Sequence, residues 1–197
     1  LVAHVLTLAV LFEDLRFELE SFDDDAKHHH NLYFLRRSSA TLREFADCIR
    51  RMNGLASFEG VRRRFSGEQR GEWNTAVAFL KAHKARIDDE RNVYGGHVSH
   101  GAVQKAVASF PYGEKQSMEM HWIERDGASH AGPTFHFAGD VMTRVMLNGK
   151  PTGEDELLYF RALLEFMVDG FQRATTCVAL VTNHYLGPLW GFASSSS

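Results

Sequence analysis

Cysteine is nearly absent from this sequence: Cys48 and Cys177 are the only two. They stand far apart, with no CxxC or other paired spacing, so a disulfide-stapled scaffold is excluded and two buried free thiols are the expected state. A reducing, cytoplasmic setting follows. The short fingerprints of familiar chemistries are missing as well. No Gly-rich dinucleotide loop, P-loop, GxSxG elbow or HExxH occurs, and neither does the Glu-x-x-His of a di-iron bundle. A serine or cysteine hydrolase and a bundle metalloenzyme are thereby disfavoured, and no cofactor or metal is expected. Long hydrophobic runs are also lacking. The nearly apolar Leu1 to Phe12 is shorter than the roughly 20 residues a membrane span needs. It carries neither the basic leading region nor the small-residue cleavage site of a secretory signal. Its stripe Leu1, Val5, Leu8, Phe12, Leu15, Leu19 instead predicts a core helix to about Ser21, buried nearly all round at its start. No membrane partner is expected.

What is present is an ordinary globular composition of 197 residues, enough for one domain (1–197) with its own core. The net charge of -3 argues against a protein that coats nucleic acid generally, but the charge is unevenly spread. From Arg50 to Arg86 nine basic residues face three acids, a local +6 that leaves the remainder at -9. A basic segment on an acidic body can hold a phosphate backbone locally; a solvated helix face is the plainer alternative. Arg62, Arg63, Arg64, Arg70 and Lys84 are the candidate nucleic-acid contacts.

Helical periodicity dominates. A second helix is predicted from about His29 to Met52, with Leu32, Leu35, Leu42, Phe45, Ile49 and Met52 on one stripe; Ser38 and Ser39 interrupt it, placed for a close helix contact or a bond back to the preceding turn. Residues 53–66 read as a loop with one short helical turn. Ser66 then caps a helix carrying Trp73, Val77, Leu80, Lys84, Ile87 and Arg91 at helical steps, which sets Arg91 on the inward face with Asp88 one turn back as its partner. Gly95-Gly96 ends or kinks it, and a further helix, with Ser99 as a candidate cap, runs to Pro111.

Beyond it the pattern changes. Met118 to Ile123 alternates and Thr134-Phe135-His136-Phe137 follows a Gly-rich turn, so a small β-hairpin is predicted at about 116–138. Asp140 to Leu147 fits a short helix or a third strand. Thr152 with Asp155 suggests a capping box for a last helix from Leu157 to about Tyr185, stopped by Gly187-Pro188. Leu189 to Phe192 would strap onto the bundle, and 193–197 is expected to be a flexible tail. The fold class is therefore mainly α: an irregular antiparallel bundle of five or six helices with an inserted hairpin. His28-His29-His30 invites a metal reading, but adjacent helix positions diverge by about 100° and no complementary ligand is nearby in sequence, so a solvated segment is expected. His121 and His136 are likewise expected to be polar cross-strand neighbours rather than ligands.

The stretch Arg91-Asn92-Val93-Tyr94-Gly95-Gly96-His97 brings an arginine, a carboxamide and an imidazole to the corner between two helices. A helix start just after His97 would offer amide hydrogens to a phosphate and depress an imidazole pKa, with His100 a second imidazole nearby. An Arg, a polar residue that is often Asn, and a His a few positions on resembles the signature of the HEPN superfamily, helical bundles whose active members are metal-independent ribonucleases. Arg125 to His130 has similar spacing but falls in a Gly-rich turn, and the Gly pair before His97 departs from helix-embedded versions of the motif. The resemblance implies a helical endoribonuclease, a toxin or phage-defence component, acting on RNA as a homodimer. In it His97 would move a proton, Arg91 pair with the scissile phosphate and Asn92 orient either. Two other readings stay open: a non-catalytic helical module binding protein or RNA through the basic segment at 50–86, and a small-molecule pocket lined by Trp122, Phe135 and Phe137.

Overall fold

The computed structural model describes residues 1–22, 28–95, 100–108, 118–125, 128–147, 150, 153 and 155–190; residues 28–30, 94, 95, 118–125, 128–140, 189 and 190 are described at the backbone only. The chain is mainly helical. Helix α1 (Val2–Glu20) packs on α2 (His28–Asn53) and on the second long helix, α8 (Glu156–Val181). Its buried face is Val5, Leu8, Leu11, Leu15 and Glu18. Contrary to the expectation of all-round burial, Val2, Leu6 and Val10 are about half or more exposed, because among the described residues α1 is covered mainly by α2 and α8. Phe12 stacks on Phe171 of α8 with ring centroids 5.5 Å apart.

The six apolar residues of the α2 stripe are all buried, as the helical period requires. Ser38 and Ser39 are buried among them, and the Ser39 hydroxyl donates to Leu35 O at 3.0 Å. The Leu42 side chain of α2 packs directly onto α8 at Gly170, where a built Cβ would lie 2.7 Å from Leu42 Cδ2. No described helix is long and apolar enough to cross a membrane.

The region read as a loop contains α3 (Ala56–Arg62), a seven-residue helix that buries Phe58 and Val61. Phe58 and Phe65 both meet Trp73, at centroid distances of 5.0 and 5.9 Å; burial of two aromatics outweighs the glycines that suggested a loop. Helix α4 (Gly67–Ala82) begins at a full capping box in which Ser66 Oγ accepts from Gln69 N and Gln69 Oε1 from Ser66 N. It does not run on to Arg91. The chain breaks at His83 (φ -97°, ψ 12°) and restarts as α5 (Lys84–Glu90), followed by a wider π-helical turn, Arg91–Gly95.

After α6 (His100–Ala108) come β1 (Met118–Arg125) and β2 (Ala128–Phe135), paired antiparallel from Met118 opposite Phe135 to Arg125 opposite Ala128. His121 pairs with Gly132, so it does not face His136, and His136 and Phe137 open helix α7 (His136–Leu147) instead of ending a strand. The choice left open for Asp140 to Leu147 falls to the helix. Helix α8 is capped by Asp155 itself, whose side chain accepts from Leu157 N and Leu158 N. Thr152, its expected capping partner, lies outside the described residues, as do Ser99 and the tail 193–197. Gly187-Pro188 does not end the helical path: a second π-helical turn, Thr182–Leu186, leads into α9 (Gly187–Trp190). Proline is tolerated in a first helical turn, where its missing N–H has no partner to lose. The described residues thus hold more helices than the five or six expected, because α3 forms within the expected loop and the breaks at 83 and 182–186 divide two long periodic segments.

Candidate functional site

The π-helical turn packs against α2, α5 and α7. Arg91 and Asn92 are both exposed, and Arg91 Nη1 donates to Asn92 Oδ1 at 3.2 Å. This corrects the inward placement of Arg91. The buried positions Trp73, Ala76, Leu80, Ile87 and Glu90 keep one spacing of three and four through the break at His83, and Lys84 and Arg91, each one position to the side of that stripe, are exposed. Asp88 is not the partner of Arg91 either. It pairs with Lys84 on its own helix and with Arg43 across from α2.

Arg43 is shared. Its guanidinium pairs with Asp47 one turn on along α2 and with Asp88 on α5, while Arg50 Nη2 reaches Asp47 Oδ1 at 3.3 Å. The chain of charges Lys84, Asp88, Arg43, Asp47, Arg50 therefore links two helices. The hydrogen bond from Lys84, opposed by burial and aided by Arg43, holds the Asp88 carboxyl below the usual carboxylate range. At Asp47 burial acts upward, but the bond and charge of Arg43, with Arg50, hold it down.

Two openings flank this chain. One, of about 310 Å³, is lined by Arg43, Glu44, Asp47, Asp88, Arg91 and Asn92. The other, of about 470 Å³, lies between α2, α4 and α5; Arg43, Asp47 and Asp88 line it too, with Arg50, Lys81 and Lys84 above an aliphatic floor. Arg91 and Asn92 thus share the lip of an open cleft, and among the described residues no carboxylate pairs with Arg91. His97, the third member of the motif, lies outside the described residues. His100, the first residue of α6, is exposed.

The candidate nucleic-acid contacts divide into two places. Lys84 lines the larger opening. Arg62, Arg63, Arg64 and Arg70 lie around the corner between α3 and α4, and each is engaged by the chain's own atoms. Arg62 and Arg63 lie 3.4 and 3.8 Å from Glu59, Arg64 Nη1 donates to His184 O at 3.0 Å, and Arg70 Nε donates to Phe65 O at 3.2 Å. Arg64 thus joins this corner to the second π-helical turn, where His184 Nε2 also meets Gln69 Oε1 at 2.9 Å. These bonds make much of the Arg cluster a structural clasp.

Sequence reading missed Arg43 and Asp47, and took Arg50 and Lys81 only as members of the basic segment at 50–86. The i, i+4 spacing of Arg43 with Asp47 and of Lys84 with Asp88 was the available signal, but nothing in the periodicity says that the two pairs meet. The side chains of Trp122, Phe135 and Phe137, expected to line a pocket, lie outside the described ones. No family model matches the chain, and no curated protein or solved structure matches it significantly.

Proposed function

We propose that the protein is a HEPN-like, metal-independent endoribonuclease, a cytoplasmic toxin or phage-defence component working as a homodimer, in which Arg91 and His97 act on one scissile phosphate. The observation that carries the reading is the exposure of Arg91 beside Asn92 at the mouth of a cleft, with no carboxylate among the described residues pairing with it. A guanidinium held this way keeps donors free for phosphate oxygens and gains as charge grows on them during displacement. The reaction is attack of a ribose 2'-hydroxyl on the adjacent phosphorus. The 2'-oxygen bonds to phosphorus, the bond to the 5'-oxygen breaks, and a 2',3'-cyclic phosphate and a 5'-hydroxyl result. His97 moves a proton to or from one of these oxygens, work for which an imidazole, able to give or take a proton, is suited. Glu44, Asp47 and Asp88 around the same cleft oppose polyanion binding in general, and Arg43 offsets part of their charge. The alternative, a non-catalytic module binding protein or RNA through residues 50–86, is weakened because Arg62, Arg64 and Arg70 already bond within the chain.

The test is cleavage of an end-labelled single-stranded RNA by the full chain in EDTA, with the product ends identified. Cleavage leaving cyclic phosphates, lost at least a hundredfold in both Arg91→Ala and His97→Ala proteins of unchanged circular dichroism, supports the reading. Cleavage that survives in either folded variant rejects the site, and no cleavage by the parent chain rejects the activity.

A further inference from the structure

The larger opening has a composition that the ribonuclease reading does not use. Its floor is aliphatic: Ile49, Leu80 and Ile87 are buried, and Val77 is half-buried among them. Its edge is cationic, with Arg43, Arg50, Lys81 and Lys84 against two carboxylates, Asp47 and Asp88. Those two carboxylates are already paired with Arg43, Arg50 and Lys84. Lys81, exposed at the lip, has no partner among the described residues, which leaves its ammonium for a ligand. About 470 Å³ is within the range of small-molecule sites, roughly 300–1,000 Å³.

The lining also discriminates among anions. Nucleobases are held by stacking on aromatic or guanidinium planes and by hydrogen bonds to their edges. This cleft has no aromatic ring in its lining, its two guanidiniums, Arg43 and Arg50, are turned to Asp47 and Asp88, and its one carboxamide, Asn53, accepts from Arg62 at 3.5 Å. An alkyl body needs only apolar contact, which the floor supplies. We infer that the cleft between α2, α4 and α5 binds a small aliphatic carboxylate, its carboxylate held by Lys81 and Arg50 and its alkyl chain laid over Ile49, Val77, Leu80 and Ile87. Binding there requires no action on RNA.

Calorimetric titration of the full chain with decanoate tests this, alongside decanol, adenosine monophosphate, and the variants Lys81→Glu, Val77→Trp and Arg63→Ala. Lys81→Glu reverses the charge at the lip, Val77→Trp fills the floor, and Arg63, highly exposed and outside the lining, is the control. The expected result is one saturable decanoate site per chain. Decanol should bind at least tenfold more weakly, Lys81→Glu should weaken decanoate at least tenfold, Val77→Trp should weaken it as well, and Arg63→Ala should leave it unchanged. The inference is overturned if decanoate does not saturate, if decanol binds equally well, if adenosine monophosphate binds more tightly, or if Lys81→Glu has no effect. Decanol needs no variant, so the comparison of head groups decides even if a substituted chain fails to fold.

Discussion

Replacing Glu18 by glutamine should stabilise the fold at pH 8 and flatten its dependence on pH. Glu18 sits between α1 and α2 with 5% of its surface exposed. Its Oε1 accepts from Thr41 Oγ1 at 3.0 Å and lies 3.4 Å from Arg37 Nε, while Oε2 is buried without a hydrogen-bond partner among the described residues. Burial, only partly opposed by Thr41 and Arg37, pushes the carboxyl from an ordinary 4.5 up to about 7. The folded chain therefore holds this proton more tightly than the unfolded chain does. Stability from this group is full below pH 4.5 and falls as pH rises towards 7. The difference corresponds to a ceiling of about 3 kcal/mol. Arg37 is half exposed, so its ion pair with Glu18 is partly screened, and losing that pair in the variant offsets part of the gain. A net gain of about 1–2 kcal/mol at pH 8 is expected, or roughly 2–8 °C in Tm for a chain of this size. Glutamine keeps an oxygen for Thr41 and places no charge beside the orphaned position. Urea unfolding of both proteins from pH 4.5 to 8 would read it: the two should converge at the acid end and separate as pH rises. Parallel profiles, or a glutamine variant less stable than its parent at pH 8, would refute the reasoning.

Gly170→Ala sets a helix-propensity gain of about 1 kcal/mol against overpacking of typically 1–3 kcal/mol, because the new methyl would stand 2.7 Å from Leu42 Cδ2 in the core. A net loss of about 1 kcal/mol should appear in thermal melts, and Leu42→Val should cost less in that background than in the parent chain. Burial pushes the Cys177 thiol up to about 12 and raises that of Cys48 as well, so neither should react with a thiol-exchange reagent at pH 8 until the chain is unfolded. Release of one equivalent in the native state would show that a thiol is open.

The parts of this fold legible from sequence are those with long, uninterrupted periodicity. The α2 stripe from Leu32 to Met52 and the run from Leu157 towards Val181 specify two long helices through spacing alone, and Ser66 with Gln69 marks a helix start. The break at His83 carried no such mark. Neither proline nor glycine occurs there, and the apolar spacing on either side fits an unbroken helix. The misplacement of Lys84 and Arg91, and with it the assignment of Asp88 to Arg91, came from reading the stripe through Val77, Lys84 and Arg91, whereas the buried one runs through Ala76, Leu80, Ile87 and Glu90. Helix α3 was hidden because Gly54 and Gly60 suggested a loop, whereas burial of Phe58 and Phe65 against Trp73 is a tertiary effect. The Arg91-Asn92 pair could be picked out by residue type. The clefts beside it could not, because they exist only where α2 meets α4 and α5, and Arg43 stands 45 positions from Asp88.

That arginine has a consequence for occupancy. One guanidinium stands in the wall common to both openings and pairs with the two carboxylates, Asp47 and Asp88, that share that wall with it. An anion entering either opening that draws Arg43 towards itself loosens two carboxylates at once and alters the field felt in the neighbouring chamber. Linkage requires the influence to run equally in both directions, so an anion that draws Arg43 from one compartment changes the affinity of the other by the factor it would itself feel.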